Sequence, residues 1–363
     1  MPPRSRRSDL PGKQLKSANQ HNSNIRKTIV VYTSMSWGHA CVAIRLTGPW
    51  RSGAWELVKG NSEDSDASDV SGADLVVFHR EFPGLCSNYG KILWKCRMEQ
   101  KPVVYELDDL LSRIPQGHAS FEFLSGIAPS IASAVSDADA VLVSTEKLKS
   151  ELSVHNRNIF VVPNCLDDDL WTIRPPRNNP EVVKIGYAAT KTHRADAEFI
   201  APALADFADR WGSRINIEFV GVAPPAVLQG RANVVWHQMN DIDYADYVRV
   251  MNTKAFDIGI APLIDNDFNR CKSCMKYLEY SAMGAVGVYS NLEPYLDVVE
   301  PGENGFLAGG LEDWVKHLSR LVESPELRLT VANQAQHKLR ENFLLSARRP
   351  EIWDVWRAAA TVE

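Results

Sequence analysis

Phe268-Asn269-Arg270-Cys271-Lys272-Ser273-Cys274-Met275-Lys276-Tyr277-Leu278-Glu279-Tyr280 runs on through Gly284 to an apolar stretch at 285–290. The segment reads as a loop, a helix opening at Lys272-Ser273, and a short strand. A helix N-terminus gathers unpaired N–H groups and the positive end of the helix dipole, so it attracts phosphate. At about 3.6 residues per turn, Lys272, Lys276 and Glu279 fall on one stripe. Two cations and a carboxylate in line suit a ligand with both phosphates and a sugar diol. A solvated helix face with an i,i+3 Lys–Glu pair is the other reading of this spacing.

Working outward, strands alternate with helical patterns through both halves of the chain. In the first half, strands are expected at 28–33, 55–58, 73–79, 102–107, 138–144 and 159–163. Helices are expected after Gly38, at 85–99 and at 145–153. In the second half, strands are expected at 182–187, 215–220, 256–263 and 285–290, and 234–237 is ambiguous. Ile200, Leu204, Phe207, Ala208 and Trp211 give one helix a packed face. Further helices are expected at 244–251, 311–322, 325–341 and 346–360. This alternation argues for βαβ units and parallel sheets. Between the halves, Arg174-Pro175-Pro176-Arg177-Asn178-Asn179-Pro180 reads as a linker. The expected division is a basic disordered tail at 1–27, a first Rossmann-like domain at 28–174, a linker at 175–180, a second at 181–345, and a final helix at 346–363.

Composition narrows the function classes. A chain of 363 residues with 45% apolar and 23% charged residues suits two soluble domains with ample cores. No run reaches the roughly 18 apolar residues of a membrane span, and no apolar segment near the N-terminus reads as a secretory signal. Six scattered cysteines fit reduced thiols in a cytosol. Cys271 and Cys274 form a lone C-x-x-C, and without a second pair at metal spacing they argue against zinc. No metal or cofactor is expected. Residues 1–27 hold seven Lys or Arg against Asp9 alone, a net of +6 that leaves −11 elsewhere from a total of −5. The tail reads as a solubilising extension, or as a weak electrostatic tether to anionic lipid or nucleic acid.

Ligands bind parallel sheets at the carboxyl ends of strands. In the first half, three polar groups follow strands: Ser36, Gly38 and His39; His79, Arg80 and Glu81; and Asp108 with Asp109, with Arg113 and His118 beyond. One of the two aspartates can instead cap the next helix. In the second half, Lys191, His193 and Arg194 follow one strand, and Arg270, Lys272 and Lys276 follow another. Cations in these places suit a diphosphate.

Together these residues resemble the GT-B glycosyltransferases of the large retaining family that includes many bacterial surface-polysaccharide enzymes. The resemblance rests on Ile185-Gly186-Tyr187 with Thr192-His193, on the run at 256–263, and on Lys272-Ser273 with Lys276-Tyr277-Leu278-Glu279-Tyr280 and Gly284. Pro301-Gly302-Glu303-Asn304-Gly305-Phe306-Leu307 completes it. In the first half, His79-Arg80, Leu107-Asp108-Asp109 and Val161-Val162-Pro163-Asn164 match less strongly. The resemblance covers roughly residues 28–345. It implies two Rossmann-like domains facing a cleft, with the last helix crossing back to the first.

It also implies transfer of a hexosyl or pentosyl group from a nucleotide-diphosphate sugar to an acceptor hydroxyl, with retention and without a metal. Glu279 matches the family's ribose-binding glutamate. Its partner glutamate falls at Cys271, where this chain departs from the pattern, and Asn269 or the loop backbone is the candidate substitute. Ala188-Ala189 also replaces glycines common in relatives. Lys272 and Ser273 match the phosphate-holding helix start, and Lys191 and His193 the basic loop opposite. The expected catalytic set is Lys191, Lys272, Asp108 and His118. His193, Asn269, Arg270, Ser273, Lys276 and Glu279 form the donor set, and Ser36, Gly38, Arg80 and Asp109 the acceptor side. The default acceptor is a cell-surface glycan or its lipid-linked precursor, met in the cytoplasm or at the inner face of a membrane. A non-catalytic binding module, a nucleotide-sugar epimerase and a transferase acting on modified nucleic acid are the alternatives.

Overall fold

The computed structural model describes residues 27–53, 55–64, 66–178, 180–240 and 242–362. The tail expectations for residues 1–26 lie outside the described residues, and Lys27 opens a strand rather than closing a tail.

The first sheet is built from β1 (Lys27–Tyr32), β2 (Trp55–Lys59), β3 (Leu75–His79), β4 (Val103–Leu107), β5 (Ala140–Val143) and β6 (Ile159–Val161). Its order is β2-β1-β3-β4-β5-β6, and every pairing is parallel. The second sheet holds β7 (Val183–Ala189), β8 (Ile215–Gly221), β9 (Val234–His237), β10 (Ile258–Ala261), β11 (Val286–Ser290) and β12 (Phe306–Ala308). Its order is β12-β11-β10-β7-β8-β9, again all parallel. The ambiguous stretch at 234–237 is therefore an edge strand.

Alternation along each strand divides the core between two faces. In the first sheet, Val30, Tyr32, Val76, Phe78 and Tyr105 face one layer, where the helix Phe121–Asp137 packs Leu124 and Ile131. That long helix escaped the sequence reading. Ile29, Val31, Leu75, Val77 and Val104 face the other layer, which Leu345, Ile352 and Trp356 of the chain's last helix (Leu345–Ala359) cover. The last helix thus belongs to the first sheet's core. The chain reaches it beside its own outbound path: Leu166 N–H donates to Phe343 O and Leu345 N–H to Leu166 O, each at 2.8 Å.

In the second sheet the helix Arg194–Trp211 covers one face with Ile200, Leu204 and Phe207. The helices Tyr244–Met251 and Met275–Ala282 cover the other with Tyr244, Val248, Tyr277 and Tyr280. Gly259 lets the latter helix lie close, since a Cβ there would sit 2.3 Å from the Tyr280 ring.

Strand order reverses direction between β1 and β3, and again between β7 and β10. Such switch points open a crevice at the carboxyl edge of a parallel sheet. The loops from both crevices face each other.

Candidate functional site

The loops at the carboxyl edge of the second sheet are tied together by a buried carboxylate. β7 ends in Thr190 and the tight turn Lys191–His193, which leads into the helix Arg194–Trp211. His193 Nδ1 lies 2.9 Å from Asp196 Oδ2. Asp196 Oδ1 accepts from the Ile264 N–H at 2.8 Å and from Asn269 Nδ2 at 3.3 Å. Asp196 therefore locks the loop after β7 to the loop after β10. Lys191 is exposed on the turn.

The opening segment folds differently from its expectation. Asp267–Arg270 forms one short helical turn, capped by the Asn266 side chain on Asn269 N–H. Residues 271–274 are loop, and the helix begins at Met275. The anion-attracting helix start at Lys272-Ser273 is thus corrected, because contacts with the first domain hold those residues in place. Phe268 and Cys271 are buried in the first domain's core. Thr145 Oγ1 donates to Cys271 O at 2.9 Å, and Asn164 Nδ2 donates to Ser273 Oγ at 2.8 Å. Burial pushes the Cys271 thiol up to about 12. Cys274 packs instead against the second domain's core, so the two thiols face different interiors.

The single stripe of Lys272, Lys276 and Glu279 is likewise divided. Lys276 Nζ donates to Glu279 Oε2 at 2.6 Å. Lys272 instead crosses the cleft, with Nζ 3.5 Å from Asp109 Oδ1 and 4.3 Å from the centre of the Phe268 ring. His118 meets the same ring edge-on at 5.3 Å. Arg270 is engaged by Asp265 and by Glu293.

On the first domain, Arg80 adopts φ +52°, an uncommon region for a residue with a bulky side chain. Tyr105 Oη donates to its carbonyl at 2.6 Å. Its guanidinium pairs with Asp108 and lies 3.4 Å from Glu81 and 3.5 Å from Asp109. Ser36 is exposed, while Gly38 O accepts the Tyr244 N–H at 2.8 Å.

Burial and charge together set the protonation states. Burial pushes Asp109 up, but Lys272, Arg80 and His193 override it and hold its carboxyl below the ordinary range. Burial lowers His118, aided by Lys272 and His193. Burial also lowers His193 against the pull of Asp196. The cleft therefore presents Lys272 and two neutral imidazoles beside the ionised carboxylate of Asp109. Among the described residues no group of three His, Cys, Asp or Glu side chains could hold a metal. No helix there is long and apolar enough to cross a membrane.

Three contributors escaped the sequence reading. Asp196 is one acid on a helix start, three residues after His193, and that spacing was its only signal. Tyr247 donates to Glu279 Oε2 at 2.7 Å. Arg45 sits in a π-helical stretch (Ala43–Thr47), buried and paired with Glu106. It also donates to Asn164 Oδ1 at 2.7 Å, which links this pair to Ser273.

Comparison with known proteins agrees with this geometry. Residues 196–354 match a family described as glycosyl transferase-like. No curated protein matches the sequence. Among solved structures, sucrose-phosphate synthase from Thermosynechococcus elongatus superposes with a TM-score of 0.65 at 12% identity, covering 92% of this chain and 99% of that one. HepE from Anabaena, in complex with UDP and glucose, gives 0.64 at 14%, covering 92% and 100%. TarM gives 0.58 at 11%, covering 79% of this chain, which spans only 54% of TarM's length. Residues 196–354 therefore match the glycosyl transferase-like family model, within a chain that has the two-sheet GT-B fold.

Proposed function

We propose that the protein transfers a hexosyl or pentosyl group from a nucleotide-diphosphate sugar to an acceptor hydroxyl. The observation that carries this reading is the convergence of Lys272, His193 and His118 on Asp109, where the crevices of both sheets meet. Leaving diphosphate accumulates negative charge as the sugar–phosphate bond breaks. Lys272, fixed at that point, stabilises departure without reorganising, and the developing diphosphate charge draws protons onto the two imidazoles. Lys272, Lys191 and His193 take the diphosphate, with Ser273 and the 271–274 backbone alongside. Glu279, held by Lys276, takes the ribose hydroxyls. Asn269 and Arg270 brace the loop that carries Lys272, Asn269 through Asp196 and Arg270 through Asp265 and Glu293.

The acceptor enters against the first domain, beside Ser36, Gly38, Arg80, Asp108, Asp109 and His118. We assign retention by same-face attack, with the departing phosphate taking the acceptor proton, and no resident metal or cofactor. The acceptor class is a cell-surface glycan or its lipid-linked precursor. The reaction is placed in the cytoplasm, with the basic residues 1–27 as a contact to an anionic membrane face or nucleic acid.

One observation favours a second reading. The Cys271 thiol is buried in the first domain's core and reaches no solvent, so a non-catalytic nucleotide-sugar module is the alternative. Incubation with UDP-, GDP-, CDP-, TDP- and ADP-sugars separates the two. Sugar transfer or donor hydrolysis supports the enzyme, and binding without turnover across the panel supports the module.

A further inference from the structure

Glu279 sits in an asymmetric set of contacts. Its Oε2 accepts from Tyr247 Oη at 2.7 Å and from Lys276 Nζ at 2.6 Å. Lys276 Nζ also donates to Tyr247 Oη at 3.1 Å, closing a three-membered ring of side chains. Among the described residues Glu279 Oε1 joins no hydrogen bond, although the side chain is 95% buried. Oε1 is not among the wholly buried unpaired atoms, so it is the carboxylate oxygen that a donor from outside the chain can reach.

Tyr247 is itself held firmly. It lies in the helix Tyr244–Met251, stacked on Tyr244 at 6.2 Å and met edge-on by Trp171 at 6.2 Å. Trp171 Nε1 donates to Tyr244 Oη at 3.0 Å. The first turn of that helix is tied to the acceptor-side loop through Tyr244 N–H and Gly38 O. Burial and the adjacent Glu279 push the Tyr247 hydroxyl well up, so it remains a donor.

We propose that Tyr247 is a positioning residue for Glu279. Its hydroxyl, together with Lys276, occupies one carboxylate oxygen and fixes the side chain so that the other is left for the vicinal hydroxyls of a ribose. The inference rests on the nucleotide-sugar reading and adds a residue to it. It also predicts what the site rejects. A polar group that meets a hydroxyl discriminates against the ligand that lacks it, because the oxygen that the bound ligand shuts off from water is then unpaired.

The test compares UDP with 2′-deoxy-UDP by calorimetry on the full chain, for wild type, Tyr247→Phe and Tyr247→Leu. If GDP, CDP, TDP or ADP binds better, that nucleotide and the counterpart differing only at the 2′-hydroxyl are used. Wild type is expected to prefer the ribonucleotide about tenfold. Tyr247→Phe is expected to lose about tenfold in affinity for UDP and almost nothing for the deoxy form, so the ratio falls toward one. The leucine variant should show the same collapse. Partial unfolding lowers both affinities in one protein and cancels in the ratio. Equal losses for both ligands, or an unchanged ratio in Tyr247→Phe, overturn the positioning role. Failure of wild type to bind any of the five diphosphates overturns the nucleotide-sugar reading and the inference with it.

Discussion

Lys272 reaches from the second domain to Asp109 of the first, with 3.5 Å between Nζ and Oδ1. The contact bridges the cleft where the diphosphate is proposed to sit. A bound diphosphate and Asp109 would therefore share the same cation. Lys272→Ala should weaken binding of a nucleoside diphosphate by roughly ten- to a hundredfold, the range for a charge-assisted hydrogen bond. Calorimetry with the best-binding diphosphate checks this, and unchanged affinity would sink the donor-site assignment.

Acid should destabilise the protein through its histidines. His79, His118 and His193 are all lowered, first by burial. A histidine whose folded value lies below its unfolded one supports stability above about pH 6.5, and that support is lost as pH falls through the folded value. Melting temperature should therefore drop between about pH 6.5 and 5. A diphosphate beside His118 and His193 favours their charged forms, so binding should take up protons and strengthen as pH falls from about 8 to 6. Calorimetry in buffers of different ionisation enthalpy reads that uptake directly. Proton release on binding would contradict the placement of both rings.

The Arg45–Glu106 pair is fully buried, and breaking it strands a charge. Glu106→Leu should cost about 3–5 kcal/mol of stability in urea unfolding. Arg45 also donates to Val162 O and Asn164, so the stranded guanidinium keeps partial satisfaction only. The double variant Arg45→Met with Glu106→Leu should recover most of the loss, because both charges are gone. A double variant no more stable than the single one would argue that the pair is not the source.

Gly284 follows the helix Met275–Ala282 with φ +74°, and a Cβ there would meet Arg174 O at 2.7 Å and Pro176 N at 2.8 Å. Gly284→Ala should lose about 2–4 kcal/mol, combining left-handed strain with a backbone clash. Gly302 has φ +84° and open space around its Cβ position. Gly302→Ala should therefore lose only the strain, about 1–2 kcal/mol. Equal melting points for the two variants would refute the clash.

Much of the architecture was legible because its signals are local. Apolar runs such as Leu75–His79 are buried on both faces, and the breaks between them set the βα rhythm. Lys276 and Glu279 were readable as a pair because i,i+3 neighbours meet on one helix. Lys272 was misplaced for the opposite reason. Its backbone is set by Thr145 and Asn164, more than a hundred positions away, and no window around residue 272 contains them. Asp196 and Tyr247 escaped in the same way, since the partners that define them lie 73 and 32 positions distant. The Arg45 helix gives no sign in sequence of its π-helical turn.

The pairing of Leu166 with the segment at 343–345 carries a mechanical consequence. The chain crosses between its halves twice, and the two crossings are pinned to each other rather than set apart. Two separated struts would make a rigid frame. Two struts fastened at one point make a pivot. Any relative rotation of the halves about that pivot moves the far rims the most. Asn164, two residues before Leu166, holds Ser273 of the second half close to the pivot, while Lys272 and Asp109 join the two halves by a separate contact.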